Sequence, residues 1–322
     1  MRSSIAIVGV NDGLVRGKIE ARYFLPPFQN ELLARGIAVS HCSFRDFILS
    51  DRRPDAAVFL YSEGHAERTS TWEMIDVAAK TAQSRKVPVV QDPSIGRIVA
   101  NKKRTNRAFV ECGVATPRMV SQSVAAFRVF SNEIAGTQAP TSVVEAGRSL
   151  DQKRYNTELI DTVHEHRGQR YFVVLRVMAV GPHCISIYLR LRPVEQGSAS
   201  VHSTDTPLDA GLWNTMYERL VTPQAEKIRV ICRQISDGLG FAFYSHDILP
   251  ERDTGRLLVC ETGFKFNDSS TRSHMMPLRG QLVFDDFLSD ILPRKSAEAF
   301  AIELPKIIRR RAEHNRGSAG HI

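Results

Sequence analysis

The sequence predicts an α/β fold in its N-terminal third and an α+β arrangement beyond it. Through residue 98, short apolar runs alternate with helix-spaced segments, the rhythm of an open parallel sheet with crossover helices. In the C-terminal part, long strand-like runs follow one another across tight turns, as antiparallel hairpins do. The chain has 322 residues, enough for about two domains at roughly 150 residues each.

The elements follow in order. Ile5–Val10 (IAIVGV) reads as a strand that runs into the loop Asn11-Asp12-Gly13. Phe28, Leu32 and Leu33 recur at helical spacing before Gly36. Strands are expected at 37–39, 56–60 and 87–90, and a helix at 72–82. A helix starts at Asn101-Lys102 and stops at Gly113, and another is expected near Ser123–Phe130. Ser142–Glu145 is a short strand. Tyr171–Val180 and Cys184–Leu191 form a hairpin around Pro182-His183. An amphipathic helix spans Ala225–Leu239 and closes at Gly238 and Gly240. Phe241–Leu249 and Leu257–Glu261 are strands around Asp253-Thr254-Gly255, and helices follow at Asp285–Leu292 and Ala297–Ile308.

Hydrophobic residues make up 43% and charged residues 24%, both ordinary for a globular protein. No uncharged apolar run approaches the ~18 residues of a membrane span, and the first apolar stretch is too short for a signal-peptide core. Membrane, secreted-peptide and disordered classes are disfavoured. The five cysteines are Cys42, Cys112, Cys184, Cys232 and Cys260. They are odd in number and form no CxxC, which argues against a disulfide framework and fits a reducing cytoplasm.

Lys and Arg number 43 against 35 acids, a net charge of +8, and the stretch from Lys306 to Arg316 is strongly basic. It reads as a frayed basic helix end. Without aromatic interleaving for base stacking, nucleic acid is the less favoured partner. Gly9-Val10-Asn11-Asp12-Gly13 lacks the Rossmann spacing, and the chain contains no P-loop motif.

The most informative segment is Ser245 to Asp268. Each of its two strands carries a carboxylate near its end, Asp247 and Glu261. Adjacent antiparallel strands place these acids side by side. Close carboxylates repel, so such a pair persists mainly around a cation, and hard oxygen ligands suit Mg²⁺ held with phosphates. The plainer reading is two strand-end acids facing water.

A wider order surrounds this pair: Asn101-Lys102, then Gly113-Val114-Ala115-Thr116-Pro117, Arg176, Arg190 with Arg192, Gly238-Leu239-Gly240, Asp247 and Glu261. This order resembles the ATP-grasp superfamily, particularly its glutathione-synthetase-like and ribosomal-protein-glutamate-ligase-like branch. The resemblance covers roughly residues 1 to 290 in layout, through short motifs whose order and spacing are the evidence. It implies a pre-ATP-grasp domain at 1–98 and an ATP-grasp domain at 99–300. The small subdomain would take about 118–165 and the large one about 166–300, with a basic helix and tail at 301–322. It implies ATP and Mg²⁺, or Mn²⁺, as cofactors. Lys102 would contact the phosphates, and Glu158, Leu159 and Ile160 would form the adenine and ribose hinge. Arg176 and Arg190 would steady the transferring phosphoryl group, with Arg192 as the alternative to Arg190. Asp247 and Glu261 would hold the metal.

Three departures accompany the resemblance. Glu145 stands where the family has a second lysine, with Lys153 or Arg148 as substitutes. The flap at 146–156 has one glycine. The family's Glu-x-Asn becomes Glu261-Thr262-Gly263, so Asn267 or Asp268 would have to supply the missing ligand, and Lys265 offers a phosphate-directed cation.

Other features carry less. His164 and His166 share a face only on a strand, and no third metal ligand is evident. His246 and Asp247 point to opposite faces, so they form no catalytic pair. His202, Thr204 and Asp205 follow the hairpin on a loop suited to an acceptor substrate, and His274 has a weaker claim of the same kind. The expected function is an ATP-dependent ligase joining a carboxylate to an amine through an acyl phosphate. Both substrates are small molecules or peptides, no membrane is involved, and a homo-oligomer follows the habit of such ligases. The alternatives are a degenerate ATP-grasp module that binds nucleotide or peptide without catalysis, and a small-molecule kinase.

Overall fold

A computed structural model describes residues 3–10, 18–66, 71–135, 141–197, 199–265 and 268–318. The chain opens with β1 (Ser4–Val8), α1 (Lys18–Ala34), β2 (Ala38–Cys42), α2 (Phe44–Leu49), β3 (Ala56–Phe59), α3 (Glu63–Ala66), α4 (Trp72–Ser84) and β4 (Val89–Val90). The strands form a parallel sheet in the order β2-β1-β3-β4. Their residues are nearly all apolar in β1 and β3 because helices cover both faces of such a sheet. The order reverses between β1 and β3. The carboxyl ends of those two strands therefore border the crevice where open α/β sheets hold ligands.

Two helices, α5 (Pro93–Val99) and α6 (Lys102–Glu111), lead out of this unit. Asn101 caps α6, its side chain accepting from Arg104 N at 3.1 Å. Then come β5 (Val129–Asn132), β6 (Ser142–Val144) and β7 (Tyr155–Glu158), an antiparallel sheet in the order β6-β5-β7. It has a small core of its own, built on Val120, Ala125, Val129 and Leu150.

The largest sheet follows: β8 (Val163–His166), β9 (Gln169–Val180), β10 (His183–Pro193), then α7 (Ala210–Leu220), α8 (Ala225–Leu239), β11 (Phe243–Pro250) and β12 (Leu257–Phe264). Its order is β10-β9-β11-β12, and β8 shares the β11 side of β9. The chain closes with α9 (Ser269–Met275) and α10 (Ile291–Ser318). Phe28 of α1, Phe243 of β11 and Phe300 of α10 join the first and last units, with ring centroids 5.7 to 6.1 Å apart. Among the described residues no helix is long and apolar enough to cross a membrane.

Three local expectations are corrected. Residues 123–128 are irregular and lead into β5, so there is no helix at Ser123–Phe130. Ala125 and Val129 are four apart and imitate helical spacing, but both face the small core while β5 pairs with β6 and β7. Asp285–Leu292 is not one helix: it holds a 3₁₀ turn at Asp286–Leu288, Ser289 is extended, and α10 begins at Ile291. The hairpin turn is Gly181-Pro182, and His183 already belongs to β10.

Candidate active site

A cavity of about 400 Å³ lies between the small antiparallel sheet and the large one, with the N-terminal unit at its rim. The floor is the large sheet. On β11, Ser245, Asp247 and Leu249 alternate into it, and on β12 so do Glu261 and Gly263. Asp247 and Glu261 stand directly opposite each other in register. A bulge follows at once, and it turns Cys260 into the cavity as well.

The cations come from α6, β9, β10 and the segment just past β12. Lys102 is the first residue of α6, is buried, and brings Nζ to 3.8 Å from Glu261 Oε1. Arg176 on β9 pairs across the sheet with Asp247 on β11, and its Nε lies 2.9 Å from Asp247 Oδ1. It also donates to Ser245 Oγ. Arg190 on β10 donates to Asp268 and lies 3.8 Å from Asp247 Oδ1. Lys265, just past β12, reaches Asp268 Oδ1 at 3.4 Å.

Asp268 is the hub of this arrangement. It caps α9 through Thr271, and it accepts from Tyr188, Arg190 and Lys265. Burial alone would raise its carboxyl, but Lys265, Arg190, Arg176 and the Tyr188 hydroxyl outweigh burial and hold it well below the usual carboxylate range. Burial likewise opposes the charge on Arg176, and Asp247 with Asp268 reverses that.

Glu158, Leu159 and Ile160 line the opposite wall, beside Phe130, Asn132 and Tyr155. Glu158 Oε1 accepts from Arg118 N at 3.0 Å. The N–H of Glu158 donates to Arg118 O and that of Leu159 to Arg128 O. Ala199–Thr204 forms part of the rim, with His202 exposed.

Several sequence expectations change place. Arg192 does not line the cavity. Its guanidinium is drawn to the loop after β10, donating to Ser200 O at 3.0 Å and Gln196 O at 3.2 Å, with Asp205 at 3.5 Å. Glu145 also lies outside the cavity, exposed and paired with Arg128 at 3.2 Å. Neither Lys153 nor Arg148 lines the cavity in its stead. Asn267 lies outside the described residues. His164 Nε2 sits 3.3 Å from Pro250 O, and His274 Nε2 sits 2.7 Å from Thr206 O. His246 is fully buried on the far face of the sheet, with Nδ1 at 2.7 Å from Thr262 Oγ1.

The donor set suits a metal that arrives with phosphates. Asp247 Oδ1 is buried without a hydrogen-bond partner, and Glu261 faces it. Among the described residues no group of three or more His, Cys, Asp or Glu is arranged to hold a metal alone. Phosphate oxygens and water would have to complete the shell, which is how Mg²⁺ is usually bound.

Comparison with solved structures fits this architecture. The D-alanine–D-alanine ligase of Bacillus anthracis matches with a TM-score of 0.53 at 12% identity, covering 98% of this chain and 99% of that one. The same enzyme complexed with ATP gives 0.51 at 10% identity, over the same shares. A RiPP-associated ATP-grasp ligase of Chryseobacterium gregarium, in complex with ADP and a leader and core peptide, gives 0.51 at 10% identity, covering 94% and 97%. This chain has the ATP-grasp fold. No protein-family model matches the sequence, and no curated protein does.

Sequence reasoning named Asp268 only as a substitute metal ligand and missed its place among the cations, and it missed Glu63 altogether. Asp268 had a local signal, an Asp followed by Ser-Ser-Thr at a helix start, but nothing in the sequence announced its four partners. Glu63 lines the rim from the N-terminal unit. Burial, reinforced by Glu261, pushes its carboxyl up to about 7. It lies almost two hundred positions from β12, and no spacing rule links them.

Proposed function

We propose that this protein is an ATP-dependent carboxylate–amine ligase. The supporting observation is one cavity in which Asp247 and Glu261 face each other across the register while Lys102, Arg176, Arg190 and Lys265 surround them. Phosphoryl transfer asks mainly for positioning and for neutralisation of negative charge that spreads over the phosphate oxygens. These side chains supply both.

In this reading the purine rests against the 158–160 wall. The N–H groups of Glu158 and Leu159 are already spent within the chain, so a backbone N–H for a ring nitrogen of the base falls to Ile160. Lys102 meets the phosphates from the start of α6. Asp247 and Glu261 would hold Mg²⁺, which when bound neutralises the phosphates. A carboxylate oxygen of the first substrate attacks the γ-phosphorus, and ADP leaves. Arg176 and Arg190 offset the charge on the transferring group. The amine of the second substrate then attacks the acyl carbon. The C–O bond to phosphate breaks with its electron pair, the nitrogen loses a proton, and an amide remains.

Asp268 keeps Arg190 and Arg176 in place for this task. It is a positioning residue, because its own oxygens are taken by Tyr188, Arg190, Thr271 and Lys265. A non-catalytic nucleotide- or peptide-binding module is the second reading. It is favoured by Glu145, which lies outside the cavity and cannot donate to phosphate. A small-molecule kinase on the same scaffold would need one acceptor and no acyl step.

The test is calorimetric titration of ATP with and without Mg²⁺, on the wild type and on Asp247→Ala/Glu261→Ala. The ligase reading expects magnesium-dependent binding that the double variant loses, followed by ADP release only when acid and amine are both present. A folded wild type that ignores millimolar ATP would remove the catalytic reading.

A further inference from the structure

One carboxyl at the cavity has no part in the nucleotide reading. Glu63 begins α3, on the loop that leaves β3 at the crevice between β1 and β3. That crevice is where a sheet of this kind receives a ligand. Glu63 leans from there onto the other unit. A Cβ built on Gly263 would lie 2.5 Å from Glu63 Oε1, a separation real atoms do not tolerate. Gly263 is two residues beyond Glu261, on the same face of β12. The missing side chain at 263 is what lets the carboxyl of Glu63 reach the cavity beside Glu261.

The switch-point crevice and the bare glycine are independent features, and they converge on one acid. Its surroundings lack a committed counter-charge. Lys265 is the cation whose charge reaches Glu63, but its ammonium is turned to Asp268 at 3.4 Å. Tyr61 beside it is buried, with its hydroxyl donating to Gln91 O at 3.0 Å. Ser62 lines the same rim. An ammonium needs only one carboxylate and a neighbouring acceptor such as the Ser62 hydroxyl.

We propose that Glu63 is the docking point for the cationic amine of the second substrate, whose body enters through the crevice over β1 and β3. The inference rests on the ligase reading for the direction of entry, from the N-terminal unit toward the phosphate end of the cavity.

The probes are amino-acid amides, which carry an ammonium group and no carboxylate. Their binding to the wild type, Glu63→Gln and Gly263→Ala is measured by saturation-transfer NMR, with Mg²⁺ and a non-hydrolysable ATP analogue present. Calorimetry of the analogue is run on the same samples. At least one amide should bind the wild type, and Glu63→Gln should weaken it about tenfold or more, the scale of a lost charged hydrogen bond. Gly263→Ala should do the same by displacing the carboxyl, and analogue affinity should hold in Glu63→Gln. Equal amide binding by wild type and Glu63→Gln overturns the proposal, as does a wild type that binds no amide. Loss of analogue affinity in Glu63→Gln also overturns it and places Glu63 at the metal instead. If the wild type ignores the analogue, the ligase reading fails, while the amide comparison still decides the role of Glu63.

Discussion

Arg176 on β9 stands directly across the sheet from Asp247 on β11, with Nε 2.9 Å from Oδ1. The contact is an ion pair without hydrogen-bond geometry, and both atoms lack any other hydrogen-bond partner. A phosphate that draws the guanidinium away therefore releases the aspartate toward a cation. Arg176→Met should weaken ATP binding by about ten- to a hundredfold, from a charged hydrogen bond worth roughly 1.5–3 kcal/mol. Titration calorimetry in Mg²⁺ checks this, and unchanged affinity would show that Arg176 only holds Asp247.

Asp268 is buried and carries the charge that balances Arg190. Asp268→Asn leaves that guanidinium without its counter-ion. Breaking a buried pair from one side costs about 3–5 kcal/mol, and thermal unfolding should reveal it as a clear fall in Tm. Asp268→Asn/Arg190→Met should recover part of the loss, since no unpaired charge remains. A single variant as stable as the wild type would contradict the hub role.

Arg192 should behave differently from its neighbour two residues away. It fastens the loop that carries Ser200 and Asp205 rather than facing the cavity. Arg192→Ala should leave ATP affinity unchanged and speed hydrogen exchange in residues 199–205. A loss of nucleotide affinity comparable to that of Arg190→Ala would return Arg192 to the phosphate site.

Gly238 lies on α8 where that helix meets the end of α6. A Cβ there would sit 1.8 Å from Cys112 Sγ. Gly238→Ala gains helix propensity of about 1 kcal/mol, but forcing the two helices apart costs typically 1–3 kcal/mol. The net effect should be a lower midpoint in urea, and a raised midpoint would show that the interface yields cheaply.

Glu303 ties α10 to the β9–β10 hairpin through His183 at 2.9 Å and meets Lys306 at 2.8 Å. Burial would raise its carboxyl, but hydrogen bonds from Lys306 and His183 outweigh burial and lower it from the ordinary 4.5. A folded value below the unfolded one means stability that is full above about pH 4.5 and is lost as pH falls further. Glu303→Gln should lower Tm at pH 7 by an amount that shrinks below pH 4.5. A gap that stays constant with pH would assign the residue a packing role alone.

The parallel unit was legible because β1 and β3 are unbroken apolar runs, and such runs follow from burial on both faces. Asp247 and Glu261 were legible as neighbours because one short hairpin joins their strands, which leaves their pairing little freedom. The segment 123–130 misled because apolar positions four apart fit either a helix or a looped strand over a small core. Arg190 and Arg192 share a face by alternation, and the sequence offered no means of choosing between them. The loop that captures Arg192 folds back from up to thirteen residues away.

By itself the sequence determined the local periods, the order of the elements and the chemical character of each strand face, because these depend on neighbours along the chain. Tertiary structure alone decided which charges neutralise one another. Asp268 meets Arg190 and Tyr188 across about eighty residues, and Glu63 meets Gly263 across two hundred. Such contacts are fixed by how whole sheets pack, and the free energy that selects them is spread over a core no single segment contains.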